Sequence, residues 1–452
     1  MENEKRLGAR RWISFILIGL AGQLAWAIEN QYINLWVFSQ SGDVRHITWM
    51  TIASAVMATL TTFLIGALSD RLGKRKLFIS LGYTIWGLFV FFFGLISFQN
   101  MSALANGDGA TAIILVGVLN TVVDCAMTFF GSTGNDACFN SMVTDQTNEK
   151  NRPFVESVLS ILPLIAVVMM LLIGNACGVP GVRGETEGQV EYATRMAQPW
   201  LIFFLIFGIL TTLVGIASFF LLPKDQVEPN RDKGYWKTLF YGFTPKAIKE
   251  HRHFYFALLV FLFFNIAINS FMPYYLVYFT DLVGDSYLLL MGIVLGISIV
   301  GTIAVGAFME RIGKMKILFA AIALLIAGAL GLYFANNLAL LATFATILML
   351  GYLLGTAVLG ATIRDETPAG EVGAFQGVRM IFAVMLPMII GSEVSKLTFT
   401  ETTINEFNQE ALKADHNMFL VTLGAAALCL IPAIFFAVQA KKRKSEGEAS
   451  IN

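Results

Sequence analysis

A few ionisable side chains stand inside stretches otherwise built from Leu, Ile, Val, Phe and Gly, namely Glu29, Asp124, Asp136 and Arg379. A charge at the centre of an apolar helix in lipid costs about 3 kcal/mol or more, so one that is kept there faces a cavity or a partner. Glu29 sits beside a helical stripe of Gln23, Ala27, Asn30 and Asn34, with Trp26 and Tyr32 nearby. A carboxylate and amides offer paired hydrogen bonds to vicinal hydroxyls, and an indole stacks on the C–H face of a ring. Asp124 belongs to a second stripe, in which Gly117, Asn120, Asp124, Thr128, Gly131, Asn135 and Cys138 follow three- and four-residue steps. A carboxylate on such a face can exchange a proton with either side or hold a solute. A structural polar network between helices, with Trp36 as an interfacial aromatic, is the competing reading of both stripes.

Further along, Asp136 and Asp145 approach the end of one apolar run and Glu156 opens the next. Arg152 and Arg379 are their candidate partners, in a gate of breakable ion pairs, in a static pair, or with Arg379 snorkelling to the surface. Asn265 and Asn269 share a face by their four-residue spacing and form a neutral counterpart to the Glu29 stripe. Tyr274, Tyr275 and Tyr278 read as residues of the membrane interface, and the Gly292/Gly296 and Gly351/Gly355 pairs as helix-packing positions. His46, His251, His253 and His416 all lie at the ends of apolar runs, and the four cysteines form no ligand cluster. No nucleophile–base pair, phosphate loop or metal set emerges, so neither an enzyme nor a bound cofactor or metal is expected.

The elements that position these groups follow from composition. Of 452 residues, 56% are hydrophobic and only 14% charged, too few charges for the surface of soluble domains. At about 20 residues per crossing, the apolar content suffices for twelve membrane spans. Apolar runs place them at roughly 12–37, 47–68, 77–98, 110–143, 154–177, 198–222, 254–279, 287–309, 317–335, 338–363, 373–396 and 417–440. The fourth is long enough to tilt, and Gly131 and Gly134 allow it to bend. The result is an all-α integral membrane protein of two six-helix bundles, 1–222 and 254–452, joined by a basic linker over 223–253. Within that linker Tyr235 to Phe243 reads as an amphipathic interfacial segment. Net charge is formally zero and gives no reason to expect a nucleic-acid partner. The charges are nonetheless sorted: 25 of the 31 Lys and Arg fall at the termini and even-numbered connections, and five on the other side. That asymmetry places both termini in the cytoplasm of a multi-pass protein of the cell membrane, most simply a monomer in its bilayer.

The chain also repeats itself. Gly66-Ala-Leu-Ser-Asp70-Arg71-Leu-Gly73-Lys74-Arg75-Lys76 recurs 240 residues later as Gly306-Ala-Phe-Met-Glu310-Arg311-Ile-Gly313-Lys314-Met-Lys316. At the same offset Ala27-Ile28-Glu29 matches Ala267-Ile268-Asn269, and Asp145-Gln-Thr147 matches Asp365-Glu-Thr367 at an offset of 220. Two halves in the same orientation form a parallel repeat, a plan that sets a binding site near the bilayer midplane. Within the turn, Gly66 lets helices approach, Gly73 permits the tight reversal, Asp70 can cap a helix amino end, and Arg71 and Arg75 can pair with carboxylates.

At Gly66 to Lys76 the chain resembles the major facilitator superfamily, whose signature between its second and third helices it matches at nearly every position. The resemblance spans the whole chain, and its second copy departs where Glu310 replaces the family's Asp. Trp26-Ala-Ile-Glu29-Asn30 and Asn135-Asp136-Ala-Cys-Phe-Asn140-Ser-Met-Val-Thr-Asp145 further resemble the glycoside-pentoside-hexuronide cation symporters and the related sucrose-type carriers. The resemblance implies an alternating-access carrier, with a latch at Gly66–Lys76 and Glu310–Arg311 and an acidic coupling residue in the fourth span. The sodium-using branch implies acidic residues in the second span as well; none precedes Asp70 here, which turns the expectation from sodium to the proton. The expectation is a proton-coupled symporter of a sugar or glycoside. Gln23, Trp26, Glu29, Asn30, Asn34, Asn120, Asn265 and Asn269 would contact the solute, and Asp124, Glu29 and Asp136 would couple the cation. The alternative is an exporter of amphipathic compounds or a lipid carrier of the same fold, and a non-transporting receptor stands behind both.

Overall fold

The structure, a computed structural model, describes residues 8–147, 155, 158–159, 161–184, 186–225, 240–306, 308–367 and 372–449. Among these, eleven helices are long and apolar enough to cross a membrane. Span one is Ala9–Ser41, span two Val44–Ser69, span three Arg75–Phe93, span four Gly109–Gln146 and span six Gln189–Leu221. Spans seven to twelve are Arg252–Asn269, Tyr287–Gly306, Lys314–Phe334, Leu338–Glu366, Gly377–Thr398 and Met418–Lys441. The shorter apolar helix Leu162–Cys177 occupies the place of span five. Arg152 and Glu156 lie outside the described residues, as do Tyr235 to Leu239 of the linker. The chain is an all-α multi-pass membrane protein. Leu172, Phe220, Val300 and Ile431 are more than half exposed on its helices, as lipid-facing side chains should be.

The chain divides into two compact units, the first holding Met1–Leu239 with Glu401–Lys413, the second Phe240–Thr400 with Ala414–Asn452. In the first unit, Gly42 in a left-handed conformation (φ +69°) ends span one, and the Asp43 carboxylate accepts the Arg45 amide to start span two. Gly73 (φ +63°) ends the helix of span two in the same way, as the sharp turn of the repeated motif requires. Spans three and six run against each other on backbone: a Cβ added at Gly87 would lie 2.5 Å from the Gly208 carbonyl oxygen, and one at Gly215 2.3 Å from the Thr84 amide. Around this seam Tyr32, Trp36, Trp200, Phe203, Phe204 and Phe207 are fully buried, with Tyr32 stacked on Phe203 at 5.1 Å. Trp36 is thus a core residue and not an interfacial one, because its indole N–H is spent on the Asn120 amide oxygen (3.2 Å). The end of span six is closed by cations: Arg10 donates to the Phe220 and Leu221 carbonyls and Lys76 Nζ to Leu222 (3.1 Å).

The segment 401–413 forms an antiparallel hairpin, Thr402–Ile404 against Glu410–Leu412. The Phe407 ring stacks on Phe98 at 5.9 Å and fills the space over Gly109, where a Cβ would come within 2.1 Å of it. Glu406 accepts the Val190 amide (3.2 Å) at the amino end of span six, and Arg45 donates to the Glu410 carbonyl.

In the second unit the same device recurs between spans nine and ten, where Cβ atoms at Gly328 and Gly351 would meet the Leu348 amide (2.5 Å) and the Ala321 carbonyl (2.8 Å). Gly355 makes room for the Phe264 ring, so the Gly351/Gly355 pair is a packing position as its spacing predicts. Gly292 and Gly296 differ: among the described residues, no atom beyond their own helical turn lies within 4 Å of a Cβ placed at either. Tyr274 and Tyr275 are buried, and Tyr274 donates to the Ser392 carbonyl (2.9 Å), so they belong to the core of the unit and not to the membrane interface.

Candidate functional site

Span one is not a regular helix across its depth. Over Ile28–Ile33 its turns widen to i→i+5 hydrogen bonding, and span four does the same over Ser132–Phe139. Widened turns expose backbone carbonyls and re-aim side chains, and they occur often where helices carry chemistry. Glu29 lies in the first widened stretch and Asp136 in the second. At this stretch of span four the two glycines give room to neighbours, Gly134 lying at backbone distance from Gly82 and Gly131 against the Trp86 ring.

Glu29 is 8% exposed and Asp124 1%. The Glu29 Oε1 atom accepts from Ser54 Oγ (3.0 Å) and Thr128 Oγ1 (2.9 Å), while the two hydroxyls stand 2.7 Å apart. Ser54 also reaches Asp124, whose charge acts on Glu29. Glu29 Oε2 and Asp124 Oδ1 are buried without a hydrogen-bond partner. A count of protons explains the arrangement: two hydroxyls bring one proton each, yet they enter four oxygen–oxygen contacts. The cluster is short of donors, and a proton on either carboxyl group would supply one.

Asp136 is held separately. Its Oδ2 accepts from Ser132 Oγ (3.2 Å) and its Oδ1 from Asn135 Nδ2 (3.0 Å), and Asn135 Oδ1 accepts the Tyr83 hydroxyl (2.9 Å). Gly22 of span one provides the space, since a Cβ there would lie 2.4 Å from the Tyr83 oxygen and 2.7 Å from Asn135 Oδ1. Sequence reasoning brings Glu29, Asp124 and Thr128 forward; the hydroxyl of Ser54, on the span that lacks a carboxylate, it misses.

The amides named from the sequence are mostly committed to the chain itself. Asn30 Nδ2 donates to the Trp26 carbonyl (2.8 Å) and Asn34 Nδ2 to that of Asn30 (3.1 Å), which satisfies backbone freed by the widened turn. Asn120 spends its oxygen on Trp36 and its nitrogen on the Val116 carbonyl (2.8 Å). Gln23 and Trp26 are half-buried, and the Trp26 ring lies 4.8 Å from that of Trp86. Asn30 alone of these is exposed. In the second unit Asn265 donates to the Ala383 carbonyl (2.8 Å), within the widened stretch Ile381–Met385 of span eleven, and Asn269 to that of Asn265 (2.8 Å).

At the basic end of the first unit, the buried Arg75 guanidinium meets Asp145 at 3.1 Å. Asp145 thus has a cation inside its own unit, from the repeated turn. The second unit answers with Lys314 on Asp365: Asp365 is the counterpart of Asp145, while Lys314 is that of Lys74, and Met315 stands where Arg75 does. Gly66 packs loosely against Ala137 (4.0 Å), Arg71 and Arg311 are exposed, and the side chains of Asp70 and Glu310 are outside the described residues. Arg379 is half-buried, with Arg364 as an electrostatic neighbour.

The sequence model of the Major Facilitator Superfamily matches residues 12–392. No curated protein matches the chain. Among solved structures, the nucleoside transporter NupG aligns with a TM-score of 0.62 at 12% identity, over 95% of this chain and 98% of that one. The D323A mutant of NupG aligns with a TM-score of 0.62 at 13% identity, over 94% and 98%. The xylose transporter XylE from E. coli, in a partially occluded inward-open conformation, aligns with a TM-score of 0.61 at 13% identity, over 94% and 96%. At such identity these likenesses speak to the fold alone.

Proposed function

Because the chain belongs to the Major Facilitator Superfamily, a family of transporters and not of enzymes, we propose that it is a secondary carrier that moves a sugar or glycoside together with a proton by alternating access. One observation carries the reading: the Glu29–Ser54–Thr128–Asp124 cluster, buried at mid-span, holds fewer protons than its contacts call for and leaves one oxygen of each carboxylate unpartnered. A proton entering that cluster completes it, and a proton leaving it restores two buried negative charges that repel one another. Loading and unloading thus change the stability of the cluster, which is what couples a proton gradient to a conformational change. The half-buried Gln23 and Trp26 and the exposed Asn30 stand next to Glu29 in sequence and supply the hydrogen-bonding and stacking chemistry of a polyhydroxylated ring.

The likeness of Trp26–Asn30 and Asn135–Asp145 to the glycoside-pentoside-hexuronide group supports the choice of substrate. Xylose and nucleosides, the solutes of the transporters that share the fold, both contain a sugar ring. Asn265 and Asn269 are the corresponding contacts on span seven. The Arg75–Asp145 and Lys314–Asp365 pairs form a latch, with Asp70, Arg71, Glu310 and Arg311 of the repeated turns around them, on a face we place in the cytoplasm by its basic charge.

The test is uptake into proteoliposomes with an imposed pH gradient, with radiolabelled D-xylose, D-glucose, sucrose and uridine as probes. Accumulation of a sugar, abolished by Asp124→Asn and indifferent to sodium, is the expected outcome. Uptake that follows a sodium gradient with no pH gradient would replace the proton by sodium. Extrusion of a lipophilic cation with no movement of the four probes would make the protein an exporter of amphipathic compounds.

A further inference from the structure

Asp136 is a half-buried carboxylate in a membrane span, and no cation pairs with it among the described residues. Such a group is costly to keep unless it is used. Its position is regular. Asp124, Thr128, Ser132 and Asp136 are spaced four residues apart, which puts them on one face of span four. Thr128 and Ser132 are fully buried. The lower step is already closed, because the widened turn brings Ser132 Oγ to 3.2 Å from Asp136 Oδ2. The upper step is closed through Thr128 Oγ1 on Glu29 Oε1 and through Ser54, which touches Thr128, Glu29 and Asp124 alike. Between Thr128 and Ser132 lies one helical turn, about 5–6 Å between Cβ atoms, a gap that a rotating hydroxyl and one water molecule span. The unpartnered, buried Glu29 Oε2 and Asp124 Oδ1 show that the upper end has room for a proton. Asp136 also acts on Glu29 electrostatically, so the charge state of one end is felt at the other.

We propose that Asp136 is the inner station of a proton path: a proton held by the Glu29–Asp124 pair leaves along Thr128 and Ser132 to Asp136, toward the end of the span that carries the Arg75–Asp145 pair. The inference rests on the proton-coupled reading above. In each step a hydroxyl oxygen takes one proton and releases its own, no carbon bond changes, and charge is conserved. The pair ends with one more negative charge and Asp136 with one fewer. The titratable groups facing this path are Glu29 from span one, Tyr83 from span three through Asn135, and Asp124 and Cys125 on span four itself. Span two contributes the Ser54 hydroxyl.

Uphill accumulation requires the proton to leave on the inner side, whereas exchange of labelled for unlabelled solute at equal pH does not. Using the full chain in proteoliposomes and whichever of the four probes the wild type accumulates, Asp136→Asn should lower gradient-driven accumulation by roughly tenfold or more. It should leave counterflow within about twofold of wild type. Ser132→Ala should act in the same direction, and Ser132→Thr, which keeps a hydroxyl, should restore accumulation. Equal loss of both activities in Asp136→Asn would make the residue a structural or solute contact and overturn the path, as would unchanged accumulation in Asp136→Asn and Ser132→Ala. If the wild type itself accumulates none of the probes under a pH gradient, the proton reading falls and takes the path with it.

Discussion

Two hydroxyls that share one carboxylate oxygen do not contribute independently. Ser54 and Thr128 both donate to Glu29 Oε1 and touch each other at 2.7 Å, so removing either frees the survivor to serve the carboxylate alone. Ser54→Ala and Thr128→Ala should each lower the initial rate of gradient-driven uptake. The double variant should lose more than the two single losses combined, with a coupling energy of about 0.5–3 kcal/mol. Thr128→Ser should recover most of the rate. Strict additivity in these rates would mean that the hydroxyls act at separate places and that the proton count given for the cluster is wrong. At this scale the sequence exposes some atoms and hides others for a physical reason. Glu29 and Asp124 stand out because an ionised group in an apolar run is costly and therefore rare. Ser54 does not, because a Ser or Thr in a membrane helix satisfies itself on a carbonyl one turn back, as Thr48 does on Val44, and so costs little wherever it occurs. Asn120 misleads for a related reason: the spacing puts it on the polar face, but its amide is spent on Trp36 and on its own helix.

Glycine spacing marks where helices can approach, and only a partner decides whether they do. Gly87 on span three, Gly351 on span ten, and Gly292 and Gly296 on span eight all sit in apolar helices, yet their surroundings differ. A Cβ at Gly87 would lie 2.3 Å from Thr212 Oγ1 and 2.5 Å from the Gly208 carbonyl, and one at Gly351 2.8 Å from the Ala321 carbonyl. Backbone cannot retreat as a flexible side chain can, so Gly87→Ala and Gly351→Ala should each destabilise by about 1–3 kcal/mol through overpacking. Gly292→Ala and Gly296→Ala meet open space and should be neutral or stabilising by up to about 1 kcal/mol, the gain from removing a flexible residue from a helix interior. Thermal unfolding of the purified variants in detergent, followed by loss of the monodisperse peak, separates the two classes. A comparable fall in melting temperature for the span-eight variants would show that those glycines are packed after all. Most element boundaries were legible because hydropathy and length are set by the bilayer, but span seven, read as far as 279, ends at Asn269, where a turn leads into a separate helix Tyr275–Val283. The widened turns at Ile28–Ile33, Ser132–Phe139 and Ile381–Met385 were not legible, since nothing in their composition distinguishes i→i+5 from i→i+4 bonding. The hairpin over 401–413 escapes a local reading as well. What holds it is Phe407 over Gly109 and Glu406 at the amino end of span six, contacts that are roughly 200 to 300 residues apart in sequence.

For the molecule as a whole, the repeat and the charge sorting are the two features a sequence can carry over long range. The repeat returns as two similar ion pairs, Arg75 with Asp145 and Lys314 with Asp365, in which the aspartates correspond and the cation shifts by one position; each joins the start of one span to the end of the next in its own unit. Charge sorting yields an orientation. Positively charged loops resist translocation, and with 25 basic residues on one side against five on the other, no single loop decides the outcome. Two exposed positions read this out directly. Lys246 lies between spans six and seven on the basic side, its side chain 75% exposed. Asn408 lies at the tip of the hairpin between spans eleven and twelve, exposed and with φ +57°. In a background with Cys125, Cys138, Cys177 and Cys429 replaced by serine or alanine, Asn408→Cys should react with a membrane-impermeant maleimide on intact cells. Lys246→Cys should react only after the cells are permeabilised. The reverse pattern would put the Arg75–Asp145 and Lys314–Asp365 pairs on the outer face and turn the proton path around, so that Asp136 would receive protons from outside. Labelling of both positions on intact cells would instead mean that an even number of crossings separates them, and that one of spans seven to eleven does not cross as its length and composition require.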